Sequence, residues 1–230
     1  MEDQFERTVM LLGEEAVQKL KNARVAVFGI GGVGGACAEA LARSGLGAID
    51  LFDNDVVMPS NINRQAVALH STIGRYKADV MSERIKDINP VCKTAAYKIF
   101  YMPDTADDVD LSCYDCVIDA IDTVAGKIEL IIRAKAADVF IISAMGAGNR
   151  MDPVKFIVTD IYKTEADPLA KAVRKELRRR GIKDVKAVWS KEPPAAVSGD
   201  IRRGPASSAF APPSAGLILA AEAVKHLISV

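Results

Sequence analysis

"VAVFGIGGVGG", residues 25–35, runs an apolar stretch straight into a cluster of glycines. Residues 24–29 read as a buried strand, and Val33–Ser44, closed by Gly45, as the helix that follows it. Between them Gly29, Gly31, Gly32 and Gly34 form a G-x-G-G-x-G turn. Glycines there permit a tight turn and let backbone N–H groups and a helix N-terminus come close to phosphate. The motif predicts a nucleotide site without choosing among NAD, FAD and ATP.

Working outward, residues 48–53 read as a second strand, and Asp53 follows Gly29 by 24 residues. A carboxylate there suits hydrogen bonds from ribose hydroxyls. Asp55 competes as a turn cap and counts as a further nucleotide contact. The stretch 53–65, "DNDVVMPSNINRQ", then brings Asn61, Asn63, Arg64 and Gln65, and Lys77 follows in "GRYKAD". A nicotinamide enzyme has no general need for these groups. Arg64 offers a planar charge suited to phosphate oxygens, Asn61 and Asn63 add neutral donors, and Lys77 adds a second cation. Such a set beside a ribose points to a triphosphate undergoing chemistry, where charge must be stabilised as a bond to phosphorus breaks.

Strands and helices alternate through the first two thirds of the chain. Residues 73–88 read as an amphipathic helix closed by Asn89-Pro90, 94–100 as a third strand and 114–122 as a fourth with Asp119 and Asp122 at its polar end. Residues 124–137 read as a helix and 139–146 as a fifth strand. This predicts an α/β fold with a doubly wound, mostly parallel sheet. Carboxyl ends of its strands face the ligand crevice, so Asp122 is the candidate magnesium ligand and Asp119, earlier in the strand, a structural residue. After Gly148, strands at 154–161 and 185–190 flank a basic helix at 168–180, and a Pro/Ser/Ala/Gly-rich stretch, about 191–209, reads as a mobile loop. The expected organisation is one domain: a helical segment at 1–22, a nucleotide-binding core at 23–148, and a substrate-side extension at 149–230 that continues the sheet.

Thirty basic residues balance thirty acidic ones, which excludes a surface built wholly for nucleic acid while allowing a local basic patch. "MEDQFERTVM" does not resemble a signal peptide, no apolar run is long enough to span a membrane, and Cys37, Cys92, Cys113 and Cys116 are few and scattered. A cytoplasmic protein is expected.

"GIGGVG", "DNDVVMPSNINRQ", "IGRYKADV", "INP" and "DAIDT" together resemble the HesA/MoeB/ThiF family, relatives of the ubiquitin-activating enzymes, over about residues 5–160. The resemblance implies ATP-dependent adenylation of a carboxylate on a homodimeric doubly wound domain. It implies that Gly31 and its neighbours bind ATP, that Asp53 holds the ribose, that Asn61, Arg64 and Lys77 hold the phosphates, and that Asp122 binds magnesium. Arg7, in "QFERTVMLLG", matches an arginine that family members extend into the partner subunit's ATP site.

"SAMGAGNRMDP", "DIYKTEADPLAKAVRKELRRRGI" and "WSKEPP" are similar to the branch of this family that activates the carboxylate of threonylcarbamoyladenosine in tRNA and lets it cyclise. The implied partners are a tRNA bearing that base and, secondarily, a sulfur-relay or cysteine-desulfurase system. The near alternative is activation of a ubiquitin-like sulfur carrier. Its enzymes hold a structural zinc with two C-x-x-C pairs, whereas this chain has only Cys113-x-x-Cys116, read as core thiols, and no cysteine after it. The alternatives from other classes are a nicotinamide dehydrogenase, which leaves the phosphate set unexplained, and a non-catalytic nucleotide-binding scaffold. The basic helix offers a place for tRNA phosphates, against the plain alternative of a solvated face.

Overall fold

The protein's computed structural model describes residues 4–196 and 205–229. Two short helices, α1 (Glu6–Leu12) and α2 (Glu14–Asn22), precede β1 (Arg24–Phe28), α3 (Gly32–Arg43) and β2 (Ala48–Phe52). There follow α4 (Lys77–Ile88), β3 (Lys93–Tyr97), β4 (Cys116–Asp119), α5 (Val124–Ala136) and β5 (Phe140–Ala144). The chain continues through β6 (Phe156–Asp160), α6 (Pro168–Arg179), β7 (Lys186–Ser190) and the long α7 (Ala211–Ser229).

The strands form one sheet in the order β3-β2-β1-β4-β5-β7-β6, parallel throughout except for β6, which pairs antiparallel with β7. The α/β, mostly parallel reading holds, and the last third does extend the same sheet. Both faces are covered, so the central strands are apolar on both sides. Val25, Val27, Ile49, Leu51 and Ile118 pack toward α3, α4 and α7. Ala26, Phe28, Val117 and Ile141 pack toward α5 and α6. The chain leaves β1 toward β2 on one side and returns to β4 on the other, so the strand order reverses between β1 and β4. Open α/β sheets bind ligands at the carboxyl ends of the strands at such a point.

Two boundaries differ from the sequence reading, both beside the crevice. The fourth helix begins at Lys77 rather than at residue 73, because Gly74 takes φ +84°, Tyr76 stays extended in a bridge to Val56, and the Lys77 N–H donates to the Asp55 carbonyl. The fourth strand ends at Asp119, so Asp122 lies in the loop before α5 and not on the strand. The expected mobile loop at about 191–209 falls partly outside the described residues. Its described flanks bracket Asn149, which donates its N–H to the Ala206 carbonyl and accepts at its own carbonyl from the Ala195 N–H.

Candidate functional site

The glycine turn is built by close contacts that a side chain would prevent. Gly29 has φ +85°, and a methyl there would lie 2.6 Å from the Ala120 carbonyl oxygen, which joins the β1 turn to the loop after β4. A methyl on Gly34 would lie 1.8 Å from the Gly29 carbonyl oxygen, so the first turn of α3 seats directly on the strand end. Gly34→Ala is expected to displace the turn, lowering stability by about 1–3 kcal/mol and ATP affinity at least tenfold. Urea denaturation and titration calorimetry measure the two effects, and wild-type ATP affinity in the variant would contradict this account of the turn.

Asp53 fastens the turn to the end of β2. One carboxylate oxygen accepts from the Ile30 N–H at 2.6 Å, and the other from the Asp55 N–H at 2.8 Å. Burial lifts the Asp53 carboxyl above its ordinary value, and the Lys77 ammonium and the two N–H groups pull against that rise. Lys77 is itself almost wholly buried and holds Asp55 at 2.6 Å, side chain to side chain. The start of α4 is therefore a fixed ammonium beside two carboxylates at the crevice.

The stretch 58–65 folds over the glycines. Asn61 is buried and its Oδ1 accepts from the Met58 N–H at 3.0 Å, closing a 3-10 turn. Arg64 crosses Gly32, where a methyl would lie 3.4 Å from the Arg64 Cγ, and its guanidinium donates to the Ser60 carbonyl and to Asn63. The Gln65 amide nitrogen lies 3.8 Å from where a methyl on Gly31 would be, and its Oε1 is buried with no partner among the described residues. Asn63 donates to the Ser207 carbonyl at 3.1 Å. The structure thus brings Gly29, Gly31, Gly32, Gly34, Asp53, Asp55, Arg64, Gln65 and Lys77 together, with Asn61 and Asn63 engaged in holding the backbone around them.

Asp122 is exposed on the loop beside this cradle and makes no ion pair with a described residue. Asp119, read as structural, is fully buried. Its carboxylate takes the Lys127 ammonium at 2.8 Å and the Ser143 hydroxyl, and accepts from the Ile121 N–H at 3.2 Å. Lys127 fills its remaining donor positions with Ser143 and, at 2.8 Å, the Ala144 carbonyl. The sequence reading passed over Lys127, although a lysine sharing a helix face with Leu130, Ile131 and Ala134 signals a buried cation. It also passed over Arg150, whose Nε and Nη1 are buried with no partner among the described residues and whose Nη2 lies 3.8 Å from Asp167. Burial lowers the Arg150 pKa against the pull of Asp167 and Glu192.

Arg7 lies elsewhere. It is exposed on α1, and the neighbouring Phe5 ring packs 3.4 Å from where a methyl on Gly45 would be, just past the C-terminal end of α3. The phosphate turn is at the N-terminal end of that helix, about 18 Å away for twelve residues. The structure does not bring Arg7 to the crevice of its own chain.

Backbone N–H groups at a helix N-terminus, the Asp53 carboxylate, and the Arg64 and Lys77 cations are groups whose chemistry suits a nucleotide with charged phosphates. The reading of Cys113 and Cys116 as two core thiols holds for one of them: Cys116 is buried in β4 with its thiol pushed well up by burial, whereas Cys113, in the turn before the strand, is exposed. Among the described residues no three His, Cys, Asp or Glu side chains gather as a metal site, and no helix is long and apolar enough to cross a membrane.

The model of the ThiF family matches residues 5–230. The tRNA threonylcarbamoyladenosine dehydratase of Bacillus subtilis is 44% identical, over 98% of this chain and 94% of its own length. The solved tRNA N6-threonylcarbamoyladenosine dehydratase of E. coli in complex with AMP is 37% identical and superposes with a TM-score of 0.92, covering 98% of this chain and 94% of that one. The same enzyme in complex with ATP superposes with a TM-score of 0.89 over the same shares.

Proposed function

The chain belongs to the ThiF family, and from that membership and its site we propose that it uses ATP to activate the carboxylate of threonylcarbamoyladenosine in tRNA and then closes it into a dehydrated ring. The observation that carries the reading is the crevice between β1 and β4, where Asp53 pins the glycine turn and Arg64 and Lys77 stand beside it. The likeness to the ATP- and AMP-bound E. coli enzyme over nearly the whole chain supports ATP there rather than a nicotinamide.

In this reading a carboxylate oxygen attacks the α-phosphorus and the bond to the β-phosphate breaks. Pyrophosphate leaves and an acyl-adenylate forms. A nucleophilic atom of the carbamoyl group then attacks the acyl carbon, loses its proton, and AMP departs with its phosphate oxygen. Asp53 accepts from the ribose hydroxyls. The glycine-turn N–H groups, Arg64 and Lys77 stabilise phosphate charge as each bond breaks, with Asn61, Asn63 and Gln65 holding the turn around them. Asp122 would hold magnesium, which would neutralise phosphate oxygens. One exposed carboxylate fits an ion that binds through one or two carboxylates plus substrate phosphates. The product chemistry needs no acyl-accepting thiol, and the chain's last cysteine is the buried Cys116. That favours tRNA over a sulfur carrier as substrate.

Arg7 completes the site from a second copy in this reading. Met10 and Leu11 stand 80% and 83% exposed on the same helix, an apolar surface that a partner would cover. A two-fold homodimer would carry two composite sites.

Pyrophosphate release from ATP tests the substrate directly. It is expected with tRNA bearing threonylcarbamoyladenosine, and not with the same tRNA lacking the modification or with a ubiquitin-like sulfur carrier. The nucleoside recovered from the first reaction should have lost one water. Release with the carrier and none with the modified tRNA would overturn the reading.

A further inference from the structure

We infer that the outer face of α6, carrying Lys171, Lys175 and Arg178, is the surface that holds the phosphate backbone of the RNA substrate, an inference that rests on the tRNA reading above. The helix is strongly two-sided. Ala170, Val173 and Leu177 are buried against the sheet, while Lys171, Lys175 and Arg178 are exposed. These three recur at i, i+4 and i+7 and so share one face. They line a shallow groove together with Pro168, Ala172 and Arg174.

The cations of this helix differ in what already occupies them. Arg179 and Arg180 both pair with Glu176, and those bonds pull the Glu176 carboxyl down to about 2. Arg174 donates to Thr164. Lys171 and Lys175 form no ion pair with a described residue, and Arg178 lies over the Tyr162 ring at 5.3 Å, which orients it without cancelling its charge. The chain as a whole is electrically balanced, so three uncompensated cations in a row are a local excess.

The stripe also starts in the right place. Asp167 caps the N-terminus of α6 and accepts the Gly146 N–H at 2.9 Å, in the loop that leaves the carboxyl end of β5. That end of the helix is therefore tied to the crevice, and the stripe runs from there down the side of the domain. From Lys171 to Arg178 it spans about 10 Å, long enough to lie along more than one phosphate of a strand. A nucleotide seated over β4 and β5 would leave its flanking phosphates along this face.

Cations that touch RNA phosphates displace counterions, so their loss shows in the salt dependence of binding. Binding of unmodified tRNA should be followed by fluorescence anisotropy across a series of salt concentrations. For the triple variant Lys171→Ala, Lys175→Ala, Arg178→Ala the slope of log K against log salt is expected to fall in magnitude by about 2–3, and for Lys175→Ala alone by about 1. Arg179→Ala, already neutralised by Glu176, should keep the wild-type slope. ATP affinity by calorimetry should be unchanged in all three, which separates lost contacts from a damaged fold. Wild-type slope in the triple variant would overturn the inference and leave the substrate reading standing. If the wild-type protein fails to bind tRNA at all, the inference falls together with that reading.

Discussion

Lys127→Met should lower stability by about 3–5 kcal/mol, the cost of leaving one member of a buried ion pair without its partner. Lys127 and Asp119 are both fully buried, 2.8 Å apart. Without the ammonium, the Asp119 carboxylate keeps only the Ser143 hydroxyl and the Ile121 N–H. In a chain of this size the loss corresponds to a fall in Tm of about 10 °C. The pair is expected to be worth less than either deletion suggests. The double variant Asp119→Asn, Lys127→Met should recover much of the loss, because no charge is then stranded. Urea denaturation of the two single variants and the double variant closes the cycle, and a loss under 1 kcal/mol in Lys127→Met would contradict the account. There is a functional side as well. Asp119 fixes the Ile121 N–H, and Ile121 directly precedes Asp122, so the buried pair anchors the loop on which the candidate metal ligand sits.

That network shows where the sequence could be read and where it could not. The parallel strands are legible because both their faces are apolar, and runs such as Arg24–Phe28 stand out against the helices between them. The glycine turn and the placement of Asp53 just after β2 are legible because both are set by backbone geometry close in sequence. The burial of Lys127 can be inferred from the apolar face it shares with Leu130, Ile131 and Ala134, but its partners cannot, because they are distant in sequence. Only the fold shows that Asp119, Ser143 and the Ala144 carbonyl converge on it from two strands. The start of α4 differs from the periodicity for a related reason: residues 73–76 carry helical spacing, yet Val56 and Asp55, from the preceding turn, capture Tyr76 and the Lys77 N–H. Asn61 and Asn63 read as neutral donors beside the ribose site; in the fold Asn61 accepts from the Met58 N–H at its Oδ1, a bond that does not use its amide nitrogen, whereas Asn63 donates to the carbonyl of Ser207, a contact 144 residues away in the chain.

Arg7→Ala and Asp122→Ala should each abolish adenylation alone and restore one another in mixture, if Arg7 acts on the site of a second copy. Within its own chain Arg7 does not reach the crevice. α1 packs through Phe5 at the C-terminal end of α3, and the phosphate turn lies about 18 Å away at the other end, farther than an arginine side chain extends. An arginine supplied from a partner can stabilise transferring phosphate charge and is worth 10³-fold or more in rate where it has been measured in other nucleotide enzymes. The alternative is an arginine that serves only a surface ion pair, worth about 0–1 kcal/mol, whose removal would leave turnover nearly intact. In a mixed dimer, the subunit that keeps Asp122 receives Arg7 from its partner, while the other site lacks both. With equal amounts and free exchange, about half of the dimers are mixed and each holds one working site of two, so activity should return to about a quarter of wild type. Exchange is verified by mass spectrometry of differently tagged subunits. If mixed dimers form and activity does not return, Arg7 does not reach across. If Arg7→Ala alone turns over at the wild-type rate, it has no part in the chemistry.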